Sequence, residues 1–293
     1  MNAYRFAALV RRELWERRWF IRTWLILSGL LIVSGLAGLT LIGFFSKAFS
    51  IRVQPQITHP GGGIVFLALA GIFGAILLLR LTVYFLHTLH DDRMDRSYVF
   101  WKSLPVSDTM TVASKVFTGL IVVPLIAWVC LIVTGILLLF LLSLATSFLG
   151  HHFWGSFWAF GPLVSVWFYL AVAFILLPLW IFPLFAWMLL CSAWANQRSR
   201  RSPFFMAFGV PVVIIILEPL LLGTHLFSTW LGQLFSPPGQ MFSLVRGHGV
   251  SMTRRWLELT HLPAHAEFWL GGLVGLAFIA GAIYFRHRPE SNR

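Results

Sequence analysis

Apolar residues in this chain neither alternate nor keep to one helical face; they run on for whole segments between short polar intervals. A hydrocarbon core about 30 Å thick takes roughly 20 helical residues to cross. On that criterion the sequence predicts six spans, over about 24–46, 64–87, 112–144, 165–192, 204–226 and 268–285. Each is bounded by charges, by Pro and Gly clusters or by Trp- and Tyr-rich stretches. The third is long enough to bend or tilt, and the last is short. Only helices and closed barrels satisfy every backbone group inside lipid, and runs of this length read as helices. The expected fold class is therefore an all-α integral membrane protein, a single transmembrane domain over residues 1–293.

Composition narrows the function classes. Of 293 residues, 58% are hydrophobic and 11% charged, with a mean hydropathy of +0.82; an average soluble domain carries about a quarter charged residues. An extramembrane enzyme, a secreted disulfide scaffold and a disordered regulator are excluded. The formal charge of +12 would suggest nucleic acid in a soluble protein. Here the cations sit in short intervals between spans, where they set topology and attract anionic lipid headgroups, so membrane lipids and not nucleic acid are the expected partners. With an inside N-terminus, sixteen Lys and Arg fall on the cytoplasmic side and five outside, with Arg80 inside a span. That asymmetry predicts a multi-pass protein of the cytoplasmic (inner) membrane with both termini cytoplasmic. Trp15, Trp19 and Trp24 at one boundary, and Trp154, Trp158 and Trp167 at the other, suit the headgroup layers. Cys130 and Cys191 lie in apolar runs and read as small fillers. The N-terminal stretch is not expected to be a secretory signal, its first apolar run being too short.

Motifs of chemistry are missing from the sequence. There is no G-x-x-x-x-G-K-[ST], no H-E-x-x-H and no G-x-S-x-G. Among carboxylates only Glu218 lies well inside a span, too few for a proton relay. The chain is expected to be no enzyme, to hold no cofactor of its own, and to draw energy for any transport from another subunit. His261, His265 and Glu267 lie close in sequence, and His151-His152 fall on the same side, but Pro263 interrupts the first pair and no cysteine joins them. No metal site is expected.

The longest cytoplasmic polar stretch, Leu89 to Lys115, opens with Asp91, Asp92, Arg93, Asp95 and Arg96, a mixed-charge start suited to a solvated helix. Phe100 and Trp101 follow, then Lys102, and Leu104-Pro105 ends the element because the residue before proline avoids the helical region. Ser107 or Asp108 can cap the next helix. Large aromatics beside charges on a stiff element suit a docking knob for a partner protein; an interfacial anchor in the headgroup layer is the alternative. The run Asp95-Arg96-Ser97, then Phe100 through Ser107, then Ser114-Lys115, resembles the loop of the type-2 ATP-binding-cassette (ABC) permeases. The six-span, ends-inside layout is similar to that family over nearly the whole chain.

The resemblance implies a coupling helix within residues 88–111 that touches a separate ATPase, with Asp91, Asp92, Arg93, Asp95, Arg96, Phe100, Trp101, Lys102, Leu104 and Pro105 at the contact. It implies an interfacial helix within residues 1–22, and a working unit of two permease chains, copies or relatives, with two ABC ATPases that bind ATP and Mg. Phe6, Val10 and Leu14 give that first helix an apolar stripe. Glu13 and Arg17 fall near the stripe, spaced for an i,i+4 pair.

Arg80 and Glu218 are the candidates for a translocation path, with snorkelling or a structural pair as the other reading of Arg80. Their depths differ by about 11 Å at 1.5 Å per residue, too far for a direct pair. Glu218 precedes Pro219, a helix break that could face a polar cavity or a partner or mark the outer surface. Pro178, Pro183 and Pro211 interrupt the fourth and fifth spans as kinks or hinges. Gly271, Gly275 and Ala282 form a close-packing stripe on the last span, within the subunit or against a twin. Residues 227–267 form an extracytoplasmic loop broken at Pro237-Pro238-Gly239, interfacial or re-entrant. The function expected is the membrane-spanning permease subunit of an ABC exporter of amphipathic or lipid-like cargo. The alternatives are a structural or mechanotransmitting protein that recruits an ATPase without moving cargo, and a membrane enzyme with an unrecognised site.

Overall fold

The computed structural model describes residues 2–49, 62–94, 107–148, 154–195, 203–234 and 252–287. Among them there is no strand. Helices α1 (Asn2–Glu16), α2 (Trp19–Phe49) and α3 (Gly63–Met94) come first. Next come α4 (Asp108–Phe117), a π-helical turn at Thr118–Val122, and α5 (Val123–Phe148). The single turn α6 (Trp154–Phe157) leads to α7 (Phe160–Trp180), α8 (Phe182–Trp194), α9 (Pro203–Leu222) and α10 (226–234). After α11 (Met252–His261) and a 3-10 turn at Leu262–Ala264, α12 (Ala266–His287) closes the described chain. Six segments are long and apolar enough to cross a membrane: Ile21–Thr40, Gly63–Asp92, Asp108–Phe148, Phe160–Trp180, Pro203–Leu221 and Ala266–Arg286. The protein is an all-α, multi-pass membrane protein.

Local chemistry explains where the elements depart from the pattern read in the sequence. The long third span is α4, the π turn and α5 in line. Pro124 has no amide to donate and its ring crowds the Leu120 carbonyl, so the turn before it widens and the Val123 amide bonds Thr118 O, five residues back. The fourth span, expected as one run over 165–192, is two helices broken at Ile181 (φ −83°, ψ 3°). Pro183 then falls in the first turn of α8, where a missing amide costs nothing. Pro178, Pro211 and Pro219 remain inside helices. Helix α9 ends at Gly223, whose φ of +63° only glycine adopts freely and whose amide bonds Pro219 O at 3.2 Å. The last span is longer than expected, 22 residues.

Helix α3 is the centre of the packing. Phe66, Phe73, Leu77 and Leu81 on it are fully buried. Trp24 of α2 stacks on Phe73 with ring centroids 5.6 Å apart, and Phe185 of α8 stacks on Phe85 at 5.2 Å. Glycines let the helices close in: a Cβ at Gly135 would stand 2.3 Å from the Phe66 ring, and one at Gly119 would stand 2.4 Å from Phe85. The direction of α1 follows from its contacts. Phe6 meets Phe117 at 5.5 Å, while Glu13, seven residues on, reaches Lys115, so α1 gains almost no height along α4 and crosses it. Helix α2 then climbs beside α5, with Ser28 bonded to Thr134 and Gly35 against Leu138.

Candidate functional site

Where α1, α3, α4 and α12 meet, the bundle holds a buried ion network. Helix α4 starts at Ser107, whose hydroxyl accepts from the Met110 amide at 3.3 Å, which leaves the Asp108 side chain free to point elsewhere. Seven residues on, and so on the same helix face, Lys115 is 1% exposed. Its Nζ donates to Glu13 Oε1 at 2.5 Å, to Thr88 Oγ1 at 3.2 Å and to Asp92 Oδ1 at 3.3 Å, which uses all three ammonium protons. Glu13 is itself 4% exposed. The Tyr84 hydroxyl lies 3.4 Å from Glu13 Oε2 and 3.2 Å from the Lys115 carbonyl.

Asp92 links this pair to the end of the chain. Arg286 of α12 donates from Nη1 to Asp92 Oδ2 at 3.4 Å and from Nε to Asp108 Oδ1 at 3.0 Å. On the other flank Arg17 donates from Nη2 to Asp91 Oδ2 at 3.4 Å, and its guanidinium lies 5.0 Å from the centre of the Tyr84 ring. Ser192 of α8 takes the Leu89 and His90 amides at 3.2 and 3.0 Å, tying a further helix to the same end of α3. Charges at this depth hold only while paired, because removing one partner of a buried pair costs about 3–5 kcal/mol.

The network corrects several expectations. Glu13 does not pair with Arg17; it turns inward to Lys115, which is why both residues fall in the apolar stripe of α1. Asp92 is not on a solvated helix, since α3 runs on to Met94 and carries the residue into the network. Helix α3 thus runs past the expected end of the second span at 87 to Met94, and α4 begins at Asp108, before the expected start of the third at 112. Within the expected coupling site, Asp91 and Asp92 are brought together with the network, and Arg93 lies in the last turn of α3. Asp95, Arg96, Phe100, Trp101, Lys102, Leu104 and Pro105 lie outside the described residues.

In the sequence Arg286 reads only as a topology charge, and Lys115 as one more topology charge and the end of the Ser114-Lys115 motif; neither is marked as buried. The signal that could have found the site is on α3: Tyr84, Thr88, Asp91 and Asp92 follow i, i+4 and i+7/i+8 spacing at the end of an apolar helix. Such a polar stripe needs partners from neighbouring helices.

The two path candidates stand apart. Arg80 is half-buried and, among the described residues, makes no ion pair or hydrogen bond; it sits about one turn deeper than Tyr84. Glu218 is buried and closes a turn: its carboxylate accepts from the Phe227 amide at 3.0 Å and the Thr224 hydroxyl at 3.2 Å, capping the first turn of α10. The glycine stripe packs inside the subunit, against α8. A Cβ on Gly275 would meet the Phe182 ring at 2.5 Å, one on Gly271 would meet Pro183 at 3.4 Å, and Ala282 is fully buried. In the stretch 227–267, Pro237-Pro238-Gly239 lies outside the described residues, while Trp180 Nε1 holds the Leu234 carbonyl at 3.1 Å and the Tyr169 ring packs edge-on against Trp256. His261 ends α11 and His265 follows the 3-10 turn in extended backbone. Among the described residues no three His, Cys, Asp or Glu gather as metal ligands. Compared with known proteins, the chain matches no family model, no curated protein and no solved structure.

Proposed function

We propose that this protein is the membrane-spanning subunit of an ABC-type exporter, receiving mechanical work from a separate ATPase through the segment between α3 and α4. The observation that supports this reading is the buried ion network. Asp92 on one root of that segment, and Asp108 and Lys115 on the other, are joined to each other and to α1 and α12 by buried or part-buried ion pairs, while Asp91 reaches Arg17 in the turn after α1. Breaking such pairs costs several kcal/mol. A push on Phe100 and Trp101 therefore moves α3, α4, α1 and α12 together instead of bending the loop.

In this reading the helices of a second permease chain, a copy or a relative, face this one, and two ATPases bind ATP and Mg on the cytoplasmic side. The apolar, proline-broken helices α7 to α9 suit an amphipathic or lipid-like cargo. The chain itself does no catalysis and sits in the inner membrane with both termini cytoplasmic.

Purification in mild detergent, with identification of the companion chains, tests the proposal. The expected companion carries a G-x-x-x-x-G-K-[ST] loop, is retained by the native chain and is lost from Phe100→Ala/Trp101→Ala. Retention by that variant would refute the docking role. An ATPase whose turnover no amphipathic cargo stimulates in vesicles would favour recruitment without transport.

A further inference from the structure

We infer that the exposed cationic and tryptophan surface running from α1 through the turn after it to the first turn of α2 is a binding surface for anionic phospholipid headgroups. An amphipathic helix on a membrane ordinarily lays its apolar face into the lipid. That mode is closed to α1, because its inward face is already used: Phe6 packs on Phe117, Leu9 is buried, and Glu13 and Arg17 are held in the ion network. What α1, the turn after it and the first turn of α2 present outward is a different chemistry. Arg11 and Trp15 on α1, Arg18 in the turn and Arg22 on the first turn of α2 are all exposed. Trp15 is 61% exposed, with Arg11 at 5.8 Å and Arg18 at 5.6 Å from its ring.

This stacking matters for what the surface can bind. A guanidinium lying on a ring uses its face for the aromatic and keeps its N–H edge free for the paired oxygens of a phosphate. Trp15 and Trp19 supply the amphipathic rings that favour the headgroup layer. It is continuous with apolar surface, since Ile21, Leu25, Ile26 and Leu30 on the first turns of α2 are exposed as well. The cations thus stand where a lipid-facing helix meets water. No carboxylate lies among them on this surface; Glu16 is off it and paired with Arg12 at 2.5 Å. Three cations without a carboxylate to receive a headgroup ammonium select anionic over zwitterionic lipid. The inference does not rest on the permease reading.

The test uses the full chain in nanodiscs of phosphatidylcholine and phosphatidylglycerol, with spin-labelled lipids reporting how strongly each is immobilised at the protein surface. The native chain immobilises phosphatidylglycerol preferentially. Arg11→Gln/Arg18→Gln/Arg22→Gln lowers that preference at least about fivefold, the effect of one basic residue near an anionic surface, while the corresponding Lys variant keeps most of it. All three side chains are exposed, so the melting temperature holds. If the triple variant is not recovered folded, Arg18→Gln alone carries the test with a smaller drop. An unchanged preference in the Gln variant overturns the inference. So does an unchanged preference accompanied by loss of a companion protein, which would assign the surface to that protein.

Discussion

The two ends of the bundle use charge in opposite ways. At the end where α1 crosses α4, ion pairs join residues far apart in sequence: Glu13 to Lys115, Asp92 to Arg286, Asp108 to Arg286. At the other end, among the described residues, the ion pair and the carboxylate cap are local, and the buried Arg255 of α11 stands near Tyr169 of α7. Glu218 caps the helix that starts a few residues later, and Arg254 pairs with Glu258 one turn along α11. Long-range ion pairs join four helices at one end, whereas at the other the Glu218 cap and the Arg254–Glu258 pair each act within a turn or between neighbouring turns. One bundle can therefore hold its charges by long-range pairing at one end and by turn-local pairing at the other.

The sharpest way to break this comparison is Lys115→Met. The substitution keeps the length of the apolar stem but leaves the buried Glu13 beside no ammonium, while part-buried Asp92 keeps only Arg286; the expected loss is about 3–5 kcal/mol, read as a lowered midpoint of thermal unfolding in detergent. Adding Glu13→Gln removes the orphaned charge, so the double variant should recover part of the loss. Losses that simply add would show that the residues are not coupled, and the contrast between the ends would fall.

Gly275→Leu comes next. The side chain must displace the Phe182 ring, which a Cβ alone would already approach to 2.5 Å. Overpacking of this kind costs about 1–3 kcal/mol, again visible in the melting midpoint. A neutral result would mean that α12 and α8 slide past one another freely, and that the unit at the first end does not extend through α12.

How much of this was legible in the sequence follows from the kind of signal each feature leaves. Spans are visible because length and hydropathy are properties of one segment, and the glycine stripe on α12 is visible for the same reason, although which helix it meets is not. The π turn before Pro124 and the break before Pro183 are marked by proline, but whether a proline kinks, splits or is absorbed depends on where its missing amide falls within the turn. The ion network was the least legible. Lys115 in isolation is one more loop cation, and only the three-dimensional meeting of four helices turns it into a buried group with three partners. Glu218 shows the same limit: a carboxylate deep in an apolar run before a proline is visible in the sequence, but that its partners are the amide and hydroxyl of the turn that follows is not.

Glu218→Gln sharpens the local side of the comparison. The amide can still accept one hydrogen bond, but it loses the charge that favours a helix N-terminus. The expected result is faster hydrogen exchange at Phe227 and its neighbours on α10, with a midpoint shift well below that of Lys115→Met. Hydrogen exchange on α10 that stays unchanged would show that the cap does not rest on the Glu218 charge.

The smallest effect is expected from Arg254→Ala. The Arg254 side chain is 71% exposed and its partner Glu258 39%, so solvent screens the pair on both sides and holding two long side chains together offsets most of the Coulomb gain. Exposed i,i+4 pairs contribute about 0.3–0.5 kcal/mol, which would scarcely move the melting midpoint of a protein this size. Exchange on α11 should rise slightly and stay unaltered on α3 and α4. Loss of protection spreading from α11 to the ion network would show that the two ends are mechanically joined through α12, and the division between long-range and turn-local pairing would no longer hold.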